Sequence, residues 1–357
     1  MSEKKVRIHY IDVARAISIL LLVWGHTLGH SENSKYIYKI IYSFVVPLFF
    51  VVSGFLMSTK ESFGNFAKNK FVRIMIPYFV WAVLFLVPFY MFGSSVASSF
   101  DISQKDGLLT VMKNILYGIG KGHRLQQNSS LWFLPALYTM SLFYYYLFYL
   151  LDKFDNDRLR IVAAAVLMIA GYISDEYLLL SLPWGLNTVF VAGVYFYIGY
   201  LLRRYKVIEQ IMSKKYRFIV LVVAGIWGMY AGSANRALGF MDYNIGNVWL
   251  AYISGICFSV LMLCLSYRIG KCSMLEYVGK NTISVMIFHK LPILLCQTKL
   301  GILTHWLTAS NIFIEVMLST IVAIGATFFA LVVGEVLKII APFTIGEKQI
   351  KRKTLGI

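Results

Sequence analysis

Residues 11–29 read IDVARAISILLLVWGHTLG. A run of about 20 mostly apolar residues is long enough to cross a bilayer as a helix. Beyond Asp12 at its start, only Arg15 and His26 interrupt it. Ionisable groups inside a span are costly, which makes them candidates for function. Eleven residues at about 100° each return His26 to within about 20° of Arg15, roughly 16 Å further along the helix. A guanidinium and an imidazole therefore share one face at two depths. That spacing suits a charged ligand entering from one side and a reacting group lying deeper. A snorkelling arginine and a histidine hydrogen-bonded to a neighbouring helix would account for the same two residues.

The remaining sequence extends this pattern. Hydrophobic residues make up 59% of the 357 and charged residues 14%, with a mean hydropathy of +0.68. Soluble domains are nearer half apolar and a quarter charged, so the composition specifies a polytopic membrane protein. The net charge of +17 does not indicate nucleic acid, because the basic residues lie in short loops between apolar runs. Cys257, Cys264, Cys272 and Cys296 show neither metal-ligand spacing nor a disulfide framework. The basic start MSEKKVR leads into a run without a small-x-small cleavage site, which is the pattern of a retained first span.

Ten apolar segments are long enough to cross: about 10–30, 38–57, 74–92, 131–151, 161–179, 186–202, 218–232, 247–266, 282–298 and 311–341. Connections on the side of the N-terminus hold 23 Lys and Arg, the opposite ones 8, and 3 lie within segments. This asymmetry predicts an all-α bundle of about ten transmembrane helices with both termini cytoplasmic. The expected organisation is one integral membrane domain over 1–357, with a short basic tail at 342–357 and no fused soluble domain. The expected location is the plasma or inner membrane. No internal repeat is evident, which weighs against an inverted-repeat transporter.

Further features mark candidate contacts. Residues 43–58, SFVVPLFFVVSGFLMS, place Pro47 inside a span and pair Ser53 with Gly54, permitting a kink and a close helix approach. Lys68, Lys70 and Arg73 precede the third span, where they either hold phosphates or anchor the helix end. In the long connection 93–130, Leu108, Met112, Ile115, Leu116 and Ile119 recur at helical spacing and predict an amphipathic interfacial helix. The polar stretch His123–Ser130, including Asn128, then meets Trp132, either a platform for a sugar face or an interfacial belt residue. His289 and Lys290 beside Pro292 indicate a cavity-lining or re-entrant stretch. Glu315 and Glu335 each need a partner or water. His30 lies four residues after His26, but no third ligand has matching spacing, so no metal is expected.

Five stretches together resemble the acyltransferase-3 family of integral membrane O-acyltransferases, which includes fucose 4-O-acetylase-like and surface polysaccharide acetyltransferases. They are YIDVARA (10–16) with His26 beyond it, PLFFVVSGFL (47–56), KFVRIMIPY (70–78), LWFL (131–134) and VGKNTISVMIFH (278–289). The resemblance implies transfer of an acyl group, usually acetyl, from cytoplasmic acetyl-CoA to a hydroxyl of an extracytoplasmic or lipid-linked glycan. It implies His26 as the essential histidine and Arg15 as its partner. Arg73 matches the second arginine of an Arg-x-x-Arg motif whose first position is Lys70 here, keeping the charge but losing the planar fork. Trp132 matches a tryptophan at a span entrance, and Glu335 lies nearest to a glutamate at the end of the last span.

On this reading His26, Arg15 and Asp12 are the catalytic set, with Asp12 holding Arg15 from one turn away. Arg15, Arg73, Lys70 and Glu335 contact the acetyl-CoA co-substrate, and Trp132, His289 and Asn128 contact the acceptor. A neutral histidine can take the hydroxyl proton as general base, and an acyl-histidine intermediate is a second route. Two other classes stay open: a transporter or flippase of a small molecule or lipid-linked sugar, and a membrane-anchored binding component.

Overall fold

The computed structural model describes residues 7–28, 31–87, 107–118, 125, 128–177, 182–241, 243–298 and 311–347. His30, Ile119 and His123, singled out above, lie outside them. Among the described residues the structure is helical, and its β content is a single bridge between Gly239 and Asn244. The helices are α1 (His9–Gly25), α2 (Glu32–Tyr42), α3 (Val45–Leu56), α4 (Phe63–Lys70), α5 (Ile76–Leu84), α6 (Leu108–Tyr117) and α7 (Phe133–Phe154). They continue as α8 (Asp157–Tyr177), α9 (Leu186–Val191), α10 (Gly193–Arg204), α11 (Val207–Ser213), α12 (Arg217–Ala234) and α13 (Val248–Ile269). The last four are α14 (Ser273–Lys280), α15 (Thr282–Phe288), α16 (Lys290–Thr298) and α17 (Ile312–Ile340).

Five described helical stretches are long and apolar enough to cross a membrane: Ser34–Leu56, Ser129–Phe154, Arg217–Ala234, Val248–Ile269 and Ile312–Ile340. A sixth is broken, Pro183–Val191 and Gly193–Arg204 meeting at 61°. This is an all-α membrane protein. Outward faces of α8, α12 and α17 present residues such as Ile161, Phe218 and Phe328, as lipid contact requires.

The interior is set by glycines that bring backbones together. A Cβ on Gly54 of α3 would lie 1.8 Å from the Phe196 carbonyl oxygen of α10, and one on Gly199 would lie 1.9 Å from that of Val51. The two helices thus cross through reciprocal glycines, and the Ser53-Gly54 pair serves the close approach its sequence permits. Arg203 closes the crossing by donating to the carbonyls of Phe55 and Met57, each at 3.1 Å, at the end of α3 where no further helical donors are available. Likewise a Cβ on Gly279 of α14 would lie 1.9 Å from the Asp12 carbonyl oxygen, so α14 lies directly against the first turns of α1.

Between α4 and α5 the chain passes through a π-helical turn, Phe71–Met75. Its cause is local. Pro77 has no N–H to give the Arg73 carbonyl, and a wider turn relieves the ring against that position.

Gly54→Ala and Gly199→Ala should each destabilise the protein by roughly 3 kcal/mol or more, since the clash is with backbone rather than a movable side chain. Thermal unfolding in detergent checks this, with Gly64→Ala as the silent control because nothing lies within 4 Å of its Cβ position.

Candidate functional site

The site is built along two neighbouring helical faces. On α1, Arg15, Ile19 and His26 follow one another at helical spacing; on the segment from α15 to the turn after it, so do Thr282, Met286 and His289. The faces meet at both ends. At the first, Arg15 Nη2 donates to Thr282 Oγ1 at 2.7 Å, and Arg15 Nη1 lies 3.8 Å from Asp12 Oδ1. The closer partner of Asp12 is Arg7, whose Nε donates to Oδ2 at 2.6 Å. At the second, the His26 and His289 rings stack at 5.2 Å with 23° between their planes.

A cavity of about 380 Å³ opens at the arginine end. Arg15, Lys70 and Arg73 give it three cations; Glu61, which accepts from Asn69 at 2.8 Å, is the carboxylate on its wall. The lining then turns apolar through Ile19 and Met286, on the two faces that carry the histidines further along, and through Phe49 of α3 and Phe133 of α7. Lys70 at the end of α4 and Arg73 within the π-helical turn both line this cavity. Arg73 also borders a second cavity of about 380 Å³ with Lys280, Asn281 and Ser284.

At the histidine end, the Tyr42 hydroxyl and His26 Nδ1 are hydrogen-bonded at 2.9 Å. His289 is fully buried, and its Nδ1–H donates to the Val285 carbonyl at 2.8 Å, which fixes the tautomer and leaves Nε2 as a bare lone pair. That nitrogen has no hydrogen-bond partner among the described residues. A buried acceptor left unmatched costs free energy, and such groups mark functional sites. The neighbouring Lys290 ammonium donates to Ser129 Oγ.

The candidates read from the sequence therefore divide. Arg15, Lys70 and Arg73 come together at one end, His26 and His289 at the other. Asp12 stands at the arginine end and touches the chemistry only through Arg15. Asn128 ties its loop to the histidine end, donating from Nδ2 to the Ile287 carbonyl at 2.7 Å and capping Ser130 N–H through Oδ1. Trp132 is partly buried in the adjoining turn, edge-on to Phe133, whose ring lines the cavity. Glu335 lies apart from the cavity lining and accepts from Tyr277 and Lys338, each at 2.6 Å. Sequence reading passed over Thr282, Tyr42 and Ser129. Thr282 stands inside the VGKNT stretch and Ser129 inside the polar stretch His123–Ser130, whereas nothing local marks Tyr42.

A diphosphate should bind the three-cation cavity. In titrations with inorganic pyrophosphate, Arg15→Ala and Arg73→Ala are each expected to weaken binding about tenfold, more at low salt than at high. Glu335→Gln should leave the affinity within about twofold.

Comparison with known proteins gives three findings. The family model described as an acyltransferase domain matches residues 8–335. The nodulation protein NolL of Sinorhizobium fredii is 32% identical over 109 residues, 26% of this chain and 30% of that protein. An amino-acid racemase of Enterococcus faecalis is 26% identical over 172 residues, 47% of this chain and 22% of that protein. The chain thus spans less than a third of the curated relatives it matches. No solved structure matches.

Proposed function

This chain belongs to the acyltransferase-domain family, and on that premise we propose that it is a membrane O-acyltransferase moving acetyl from cytoplasmic acetyl-CoA to a hydroxyl of an extracytoplasmic or lipid-linked glycan. In this reading the bundle has ten crossings, lies in the plasma or inner membrane, and keeps both termini on the cytoplasmic side, where Arg15 faces the donor. The observation that carries the reading is α1 itself, with a three-cation cavity at one end and a stacked imidazole pair at the other.

The phosphates of the donor sit against Arg15, Lys70 and Arg73, with Thr282 holding the Arg15 guanidinium in place. The uncharged pantetheine arm follows the apolar lining past Ile19 and Met286, bringing the thioester to the histidines about 16 Å away. With His26 Nδ1–H donating to the Tyr42 oxygen, His26 Nε2 carries the lone pair and takes the acceptor's hydroxyl proton. The hydroxyl oxygen bonds to the thioester carbonyl carbon, the C–S bond breaks, and the proton passes from His26 to the leaving thiolate. His289 Nε2, a fixed acceptor, receives a hydrogen bond from a neighbouring hydroxyl of the acceptor and so orients the one that reacts. Trp132 and Asn128 shape the acceptor side, Asn128 by holding its loop on α15.

Purified protein in nanodiscs, radiolabelled acetyl-CoA and candidate glycans test this. His26→Ala should lower label transfer by about 10²–10⁴-fold, the usual worth of a general base, while acetyl-CoA still binds. Arg15→Ala should chiefly raise the KM for acetyl-CoA. Wild-type protein that neither binds nor turns over acetyl-CoA would defeat the proposal. Substrate movement across the membrane without acetyl-CoA would favour a transporter.

A further inference from the structure

At the end of the bundle opposite Arg15 lies a polar pocket of about 790 Å³ that the donor chemistry leaves unused. It is walled by α2 on one side and by residues 235–237 and 243–247, between α12 and α13, on the other. Among the described residues, Lys35, Lys39 and Arg236 give it three cations against one carboxylate, Asp175. Glu32 pairs with Lys35 at 2.6 Å, and the balance stays positive.

The wall is preformed. Asn235 Nδ2 donates to the carbonyls of Ile245 and Asn247 at 3.1 and 3.0 Å, while its Oδ1 accepts from Asn247 N–H at 2.9 Å. Gly246, at φ +74°, supplies the left-handed turn this clamp needs. Arg236 Nη1 donates to Asn244 Oδ1 at 2.8 Å, and Lys39 Nζ to the Ser233 carbonyl at 2.6 Å, so the cations are held in place before any ligand arrives. The pocket neighbours the histidine end through one aromatic contact. Tyr38 in its lining packs on Tyr42 with ring centroids 4.3 Å apart, and Tyr42 is the hydrogen-bond partner of His26.

We propose that this pocket binds the acyl acceptor and that the acceptor is an anionic, polyhydroxylated glycan. The proposal rests on the acyltransferase reading and adds to it where the acceptor sits and what it is. The amide nitrogens of Asn244 and Asn247 match sugar hydroxyls, the rings of Tyr38 and Tyr243 match the apolar faces of pyranoses, and the cation surplus matches a carboxylate or phosphate on the chain. A lipid acceptor recognised through its acyl chains would need a mainly apolar lining, whereas this one is mainly polar and charged.

Calorimetric titration of the full chain in nanodiscs tests the proposal with trigalacturonate, glucose 1-phosphate and neutral maltotriose as probes. At least one anionic probe should bind about tenfold more tightly than maltotriose, and which one does so separates a uronate from a phosphate acceptor. Lys35→Glu and Arg236→Glu should each weaken that binding about tenfold. Lys35 is more than half exposed, so reversing its charge leaves the packing intact and keeps the test independent of folding. Equal binding of maltotriose, no binding of either anion, or affinity unmoved in both variants would overturn the proposal. Acetyl-CoA binding is measured on the same samples, and its failure would count against the donor reading, not against this pocket.

Discussion

The contact on which the rest depends is α14 against α1, where Gly279 leaves room for the Asp12 carbonyl oxygen. Any side chain at 279 would push α14 and the α15 segment that follows it away from α1. With glycine there, the two faces stay adjacent over their whole length. Arg15 then finds Thr282 at one end and His26 finds His289 at the other. One backbone approach thus fixes a cation and an imidazole whose spacing within α1 is already set by eleven residues of helix.

Around this axis several buried polar groups are matched in pairs. Ser18 donates to the Val45 carbonyl, Thr27 and Ser319 each donate to the other's carbonyl, and Tyr195 donates to that of Ala251. In a low-dielectric interior an unmatched polar atom costs more than in water, so such pairing is what a stable membrane bundle requires. As with Trp24 Nε1 and Ser130 Oγ, no described residue partners the Nε2 of His289. The backbone bond that fixes its ring is what leaves the other nitrogen free to meet a ligand.

How much of this the sequence discloses follows from the range of each interaction. Helical periodicity is local, so the common face of Arg15 and His26, the pairing of Lys70 with Arg73, and the close approach at Gly54 are legible from neighbours alone. The partner of Arg15 is Thr282, 267 residues away, and no local pattern announces a contact of that range. Tyr42, the partner of His26, stands only 16 residues on but in another helix, so no helical spacing links the two. The partners of Glu335 were equally out of reach: its resemblance places it as a cofactor contact, and the fold sets its carboxylate against Tyr277, 58 residues away, as well as Lys338. The π-helical turn was within reach, since Pro77 stands four residues after Arg73, but its effect is to aim side chains, and aim is a property of the fold. The 61° bend between α9 and α10 likewise lies inside what reads as one uninterrupted apolar run, 186–202.

The locked register also bears on which class of function the bundle suits. A transporter exposes one site to each side in turn, and to do so its elements must slide or rock past one another. Here α1 is tied to α15 at both ends, to α17 through the reciprocal Thr27 and Ser319 bonds, and to α14 by backbone contact at Gly279. Sliding any of these would strand several polar groups in a medium that offers no replacement partners. Under the proposed acyl transfer no such motion is required. The donor's phosphates stay at the cations, and only an uncharged arm and a two-carbon group travel inward. Charge then never enters the apolar stretch between Ile19 and Met286, and the acceptor meets the acetyl group from the other end of a helix bundle that has not moved.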